Sequence, residues 1–206
     1  ESGAFRQLGQ LTMLNTSGIG TLRTLPSRAF QGLGAVQSLD LRSLGIETVA
    51  RSCFEGAHAL QRLQLGHNAI SHIADGSFLG LSDLDALSLE GNIIRSISPG
   101  AFQGLHSLSD LQLRSSPPVK AELVLAGLYA QQFVGLSNLT KLDLSDTGLA
   151  FIASGALDGL ASIQSIDLSS NSIPALPPGL FDHAATNLRG AQRFSFASNK
   201  LTNQGL

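Results

Sequence analysis

Apolar residues recur along this chain with two nested periods. The short one is two: Leu39 and Leu41, Leu63 and Leu65, Leu87 and Leu89, Leu111 and Leu113, Leu142 and Leu144, Ile166 and Leu168, then Phe194 and Phe196 form pairs separated by one residue. Alternation over so few positions predicts a short strand with one face turned inward. The long period is read from phenylalanine. Phe5, Phe30, Phe54, Phe78, Phe102, Phe133 and Phe181, with Leu157 between the last two, follow one another in steps of 25, 24, 24, 24, 31, 24 and 24 residues. Seven of the 10 Phe thus share one place in a repeated unit, which predicts a stacked aromatic column inside the molecule.

Two consecutive stretches, Leu60 to Asp83 and Leu84 to Ser107, agree as L-x-x-L-x-L-x-x-N-x-I-x-x-I-x-x-G-x-F-x-G-L. A pattern shared over that distance means one structural unit used repeatedly, each burying its apolar face against the next. Stacking pairs the short strands in parallel at about 4.8 Å. The second apolar pair of each unit, such as Ile70 with Ile73 or Ile94 with Ile97, returns the chain across the core. Its Gly- and Ser-containing segment is too short for a regular helix, so an extended or single-turn backbone is expected.

One polar position interrupts the apolar pattern at Asn68, Asn92, Asn171 and Asn199. A side-chain amide there satisfies backbone N–H and C=O groups of the turn leaving the strand, which would otherwise be buried without partners. These four form a structural ladder, and Asn92→Ala is expected to cost about 1–3 kcal/mol. Thr147 replaces the amide in part, whereas Leu44 and Gly20 cannot, which predicts looser or reorganised turns there.

These motifs resemble the leucine-rich repeat family, in the 24-residue form found in the ectodomains of Toll-like receptors, Slit proteins and lamprey variable lymphocyte receptors. Leu176 to Asp182, Leu-Pro-Pro-Gly-Leu-Phe-Asp, is similar to the L-P-x-G-x-F-D signature of variable lymphocyte receptors, and the match ends at Ala184. The expected fold is an α/β-type repeat solenoid, curved and right-handed. It carries a parallel β-sheet on the concave face and a mostly irregular or short-turn convex side. Residues 1–206 read as a single solenoid of about eight units: a partial repeat over 1–10, repeats over 11–35, 36–59, 60–83, 84–107, 108–138, 139–162 and 163–190, and a partial repeat over 191–206. Incomplete repeats at both ends read as a segment of a longer chain. Relative to the other units, the one between Leu113 and Leu125 carries extra residues. Its Pro117, Pro118 and Lys120 mark a loop expected to bulge from the edge.

Composition narrows the function. Hydrophobic residues make up 43% and charged residues 14%, enough apolar side chain for a continuous core. A net charge of -2 with 13 scattered basic residues lacks the clustered cationic footprint of nucleic-acid or anionic-membrane binding, so neither partner is expected. No apolar run approaches the roughly 18 residues that cross a bilayer. The lone Cys53 sits where other units hold Ala or Ser, and reads as a small spacer rather than a reactive thiol. His58, His67, His72, His106 and His183 show no ligand spacing. No catalytic set, metal site or cofactor site is expected.

The resemblance implies that outward residues of the strands form the contact surface: Asp40, Arg62, Gln64, Asp110, Gln112, Lys141, Asp143, Asp167 and Arg193. They are small and polar, without an aromatic anchor. Asp143 and Asp167 belong on neighbouring strands, where like charges oppose; solvation beside Lys141, a bound cation or a basic partner each offsets that. Sequons at Asn15 and Asn138 are candidate glycosylation sites of a secreted chain. The expected role is a non-enzymatic extracellular or cell-surface recognition module for a protein or glycan partner, using the concave face and the edge loop. The alternative is a structural segment of an extracellular scaffold that self-assembles through its edges.

Overall fold

The computed structural model describes residues 10–16, 22–115, 125–180 and 193–202. Among them are eight three-residue strands: β1 (Met13–Asn15), β3 (Ser38–Asp40), β5 (Arg62–Gln64), β7 (Ala86–Ser88), β9 (Asp110–Gln112), β11 (Lys141–Asp143), β13 (Ser165–Asp167) and β14 (Arg193–Ser195). They form one sheet in that order, parallel throughout, on the concave face of the solenoid. Leu39, Leu63, Leu87, Leu111, Leu142, Ile166 and Phe194 are successive register partners. The long step between β9 and β11 leaves this register intact, because Leu111 still pairs with Leu142.

The return segments are more regular than the sequence suggests. Six two-residue strands pair in parallel: β2 (Thr24–Leu25) with β4 (Thr48–Val49), β6 (His72–Ile73) with β8 (Ser96–Ile97), and β10 (Gly127–Leu128) with β12 (Phe151–Ile152). In each, the second residue is buried. No helix occurs among the described residues, as the short, glycine-containing return segments require.

The core lies between these two ladders. Phe30, Phe54, Phe78, Phe102 and Phe133 stack in one column, with successive centroids 5.3, 6.1, 6.0 and 6.1 Å apart and ring planes within 14°. Leu157 continues the buried position, while Phe5 and Phe181 lie outside the described residues. Two residues after each column position the backbone turns left-handed, at φ between 92 and 103° for Gly32, Gly56, Gly80, Gly104, Gly135 and Gly159. A Cβ at Gly80 would stand 3.2 Å from Glu55 Cα and 3.3 Å from Phe54 O, so the glycine of F-x-G-L is required by backbone shape and by the preceding coil.

The asparagine ladder forms between coils. Asn68 Oδ1 accepts from Leu44 N (2.9 Å) and Ile46 N (3.1 Å), one coil earlier, and its Nδ2 donates to Leu41 O, Leu65 O and Gly66 O. Asn92, Asn171 and Asn199 repeat this with Ile70 N, Leu149 N and Ile173 N. The turn at Leu44 is therefore not loose: the amide that serves it comes from the following unit, and Leu44 is buried. Thr147 is a partial substitute, its one hydroxyl proton shared between Leu144 O (2.9 Å) and Asn171 Oδ1 (3.1 Å). Gly20 lies outside the described residues.

Candidate functional site

Parallel pairing aligns the outward residues of the concave strands into two rows. One runs Ser38, Arg62, Ala86, Asp110, Lys141, Ser165, Arg193; the other runs Asp40, Gln64, Ser88, Gln112, Asp143, Asp167, Ser195. Over β9, β11, β13 and β14 they line a depression of about 260 Å³ that brings together Asp110, Gln112, Lys141, Asp143, Asp167 and Arg193, with Ser165 and Ser195. Asp40, Arg62 and Gln64 lie outside it on β3 and β5.

Three carboxylates of one row meet different neighbours two residues on. Arg42 donates to Asp40 through its backbone N–H (3.1 Å), Nε (3.0 Å) and Nη2 (2.7 Å). The Arg42 guanidinium thereby holds the Asp40 carboxyl below the usual carboxylate range, against the opposing effect of partial burial. At the same offset from Asp143 and Asp167 stand serines. Ser145 donates to Asp143 Oδ1 through N–H (2.9 Å) and Oγ (2.6 Å), and Ser169 N–H donates to Asp167 Oδ1 (2.9 Å). Asp143 and Asp167 are register partners, so the expected juxtaposition of like charge is present, with both carboxylates oriented by their own turns. The distinction stands in the sequence as D-x-R against D-x-S.

Other candidates separate from this depression. Pro117, Pro118 and Lys120 fall outside the described residues. Asn15 is exposed at the end of β1, and Asn138 is exposed with Nδ2 donating to His106 O at 2.7 Å. Cys53 is fully buried, and desolvation pushes its thiol up to about 12, leaving the protonated, unreactive form at neutral pH. No group of three or more His, Cys, Asp or Glu among the described residues is arranged to hold a metal, and no helix there is long and apolar enough to cross a membrane.

Sequence reasoning missed a second surface. Tyr129 and Phe151 are 55% and 52% exposed on the return side, with ring centroids 6.1 Å apart and planes tilted by 49°. Earlier coils lace this side with ion pairs, Arg23 to Glu47 at 3.6 Å, Arg28 to Glu55 at 2.9 Å and Arg51 to Asp75. Around β10 and β12 the exposed residues among those described are instead uncharged, including Ala126, Ala130, Val134 and Ala150. Gly127 aligns with Phe151 at the ordinary step of 24 residues, and the absence of a side chain at Gly127 leaves the Phe151 ring beside Tyr129.

The leucine rich repeat family model matches residues 36–94, 58–117 and 125–173, more than half of the chain. A sequence comparison with curated proteins finds no match. Among solved structures the chain is similar to Toll in the Drosophila Toll–Spatzle complex, glycosylated form (TM-score 0.78, 23% identity, 93% of this chain and 26% of that one). It is also similar to the TLR13–ssRNA13 complex (TM-score 0.68, 24% identity, 97% and 30%) and to a second Toll–Spatzle structure (0.67, 23%, 96% and 28%). The chain spans between a quarter and a third of the length of each of these, and at such identities the likeness is one of fold. Family model, repeat register, phenylalanine column and asparagine ladder agree: the chain belongs to the leucine-rich repeat family.

Proposed function

We propose that this solenoid is a non-enzymatic, receptor-like recognition module of an extracellular or cell-surface protein, and that it holds a protein partner on its concave sheet. The observation that carries the proposal is the mixed-charge depression over β9, β11, β13 and β14, where six outward residues named from the repeat phase converge. The Toll–Spatzle likeness supports a protein partner for this architecture. The sequence-based exclusion of nucleic acid finds no support among the neighbours, since one of them is a complex with ssRNA13. Single-stranded RNA therefore belongs in the binding test as a competing ligand.

The test is a binding screen against secreted and cell-surface ectodomains. Each hit is remeasured with Asp143→Arg/Asp167→Arg on the concave face and with Tyr129→Ser/Phe151→Ser on the return side. The expected result is a loss of roughly tenfold or more in affinity, about 1.4 kcal/mol, for the concave variant alone. The alternative, a scaffold segment that assembles through its sides, draws on the exposed Tyr129 and Phe151 pair. Loss confined to the return-side variant would establish that alternative and remove the concave reading. Extracellular placement is tested separately by secreting the chain from a glycosylating host. Occupancy at the exposed Asn138 is expected, read as a mass decrease on enzymatic deglycosylation; an unmodified mass counts against the secreted reading.

A further inference from the structure

Apart from Asp110, which shares a row with Lys141, the charges in the concave depression fall by sign into two rows, and that arrangement defines a ligand chemistry. Asp143 and Asp167 stand opposite one another on β11 and β13. Serine donors engage Oδ1 of each, and neither carboxylate is in an ion pair with a described residue. In the row two residues earlier, Lys141 on β11 and Arg193 on β14 flank Ser165 on β13, and neither cation is in an ion pair with a described residue. The remaining acid, Asp110, stands beyond Lys141 and accepts from Gln112 Nε2 at 3.4 Å.

The floor of the depression therefore carries the Asp143–Asp167 carboxylate pair and, in the other row, Lys141 and Arg193 either side of Ser165 with Asp110 beyond Lys141; the rows are separated by two strand residues or about 7 Å. An extended peptide places side chains i and i+2 on one face at that same spacing. Two carboxylates one strand apart, about 4.8 Å, repel each other until a cation lies between them. A guanidinium supplies donors in a fork that suits carboxylates. The volume, about 260 Å³, falls below the roughly 300–1,000 Å³ of small-molecule pockets, which suits one or two side chains of a larger interface.

We propose that the depression binds an extended segment of a partner protein bearing a basic and an acidic residue two positions apart. The basic side chain lies between Asp143 and Asp167, and the acidic one lies over Ser165 between Lys141 and Arg193. This rests on the reading of the concave face as the recognition surface.

A randomised heptapeptide library displayed on phage tests it, panned against the whole chain and two paired variants, Asp143→Asn/Asp167→Asn and Lys141→Gln/Arg193→Gln. Asparagine keeps the oxygen that accepts from Ser145 and Ser169 while removing the charge, and matching melting curves confirm that each variant is folded. The native chain is expected to enrich peptides with a basic and an acidic residue at i and i+2. The asparagine pair should lose the basic preference roughly tenfold and keep the acidic one, and the glutamine pair should do the reverse. Peptides that compete at the concave face without this charge spacing would overturn the dipolar assignment and leave the concave reading standing. Binders indifferent to Asp143→Arg/Asp167→Arg would overturn both. A library that yields no enrichment overturns the dipolar assignment.

Discussion

Phe78→Ala is expected to destabilise the chain by about 3–5 kcal/mol, the range for deleting a fully buried phenylalanine side chain. Phe78 is 1% exposed and stacks on both sides, on Phe54 at 6.1 Å and on Phe102 at 6.0 Å. The cavity cannot collapse easily, because the neighbouring coils are held apart by strand pairing on both ladders. The site is also central. In a linear array each unit is stabilised by its two neighbours, so a weak unit in the middle uncouples the two halves. Thermal melting should show a midpoint lower by roughly 10 °C, broadened or split where the halves unfold separately. Phe151→Ala is the control, since that ring is 52% exposed; a Phe78→Ala loss no greater than the control's would refute the column as a source of stability.

The second large effect is at the asparagine ladder. Asn68→Ala should cost about 3 kcal/mol, more than Asn92→Ala at about 1–3 kcal/mol. Asn68 Oδ1 accepts from two backbone N–H groups, Leu44 and Ile46, whereas Asn92 Oδ1 accepts from Ile70 alone. The extra load arises because Leu44 has no side-chain acceptor of its own. Alanine at position 68 would leave buried donors without partners, and an unmade buried hydrogen bond costs more than a made one contributes. Denaturant unfolding of the two variants measures the order directly. Equal losses at the two positions would show that the Leu44 turn does not depend on its neighbour.

The repeat phase was legible in the sequence because packing in a solenoid is local: each residue meets the one a coil away, so the contact map is written into the spacing. Leu142 and Ile166 pair as their spacing of 24 residues implies, and Phe133 joins its column despite a step of 31. The concave surface was only partly legible. Its rows follow from the phase, and six of the nine named residues meet in one depression. What separates Asp40 from Asp143 is the partner two residues on, Arg42 in one turn and Ser145 in the other. The return strands were harder to foresee, since two-residue ladders leave almost no periodic signal.

By itself, the sequence determined the family, the parallel order of the main strands, the phenylalanine column and the asparagine ladder, because each repeats at a fixed interval and its partner is the next copy of itself. Tertiary structure decided which charges remain unneutralised, how the outward rows gather into a depression, and where Tyr129 meets Phe151. Those depend on which side chain each unit places at its variable positions, such as Arg42 in one turn and Ser145 in another, and the shared repeat pattern leaves those positions open.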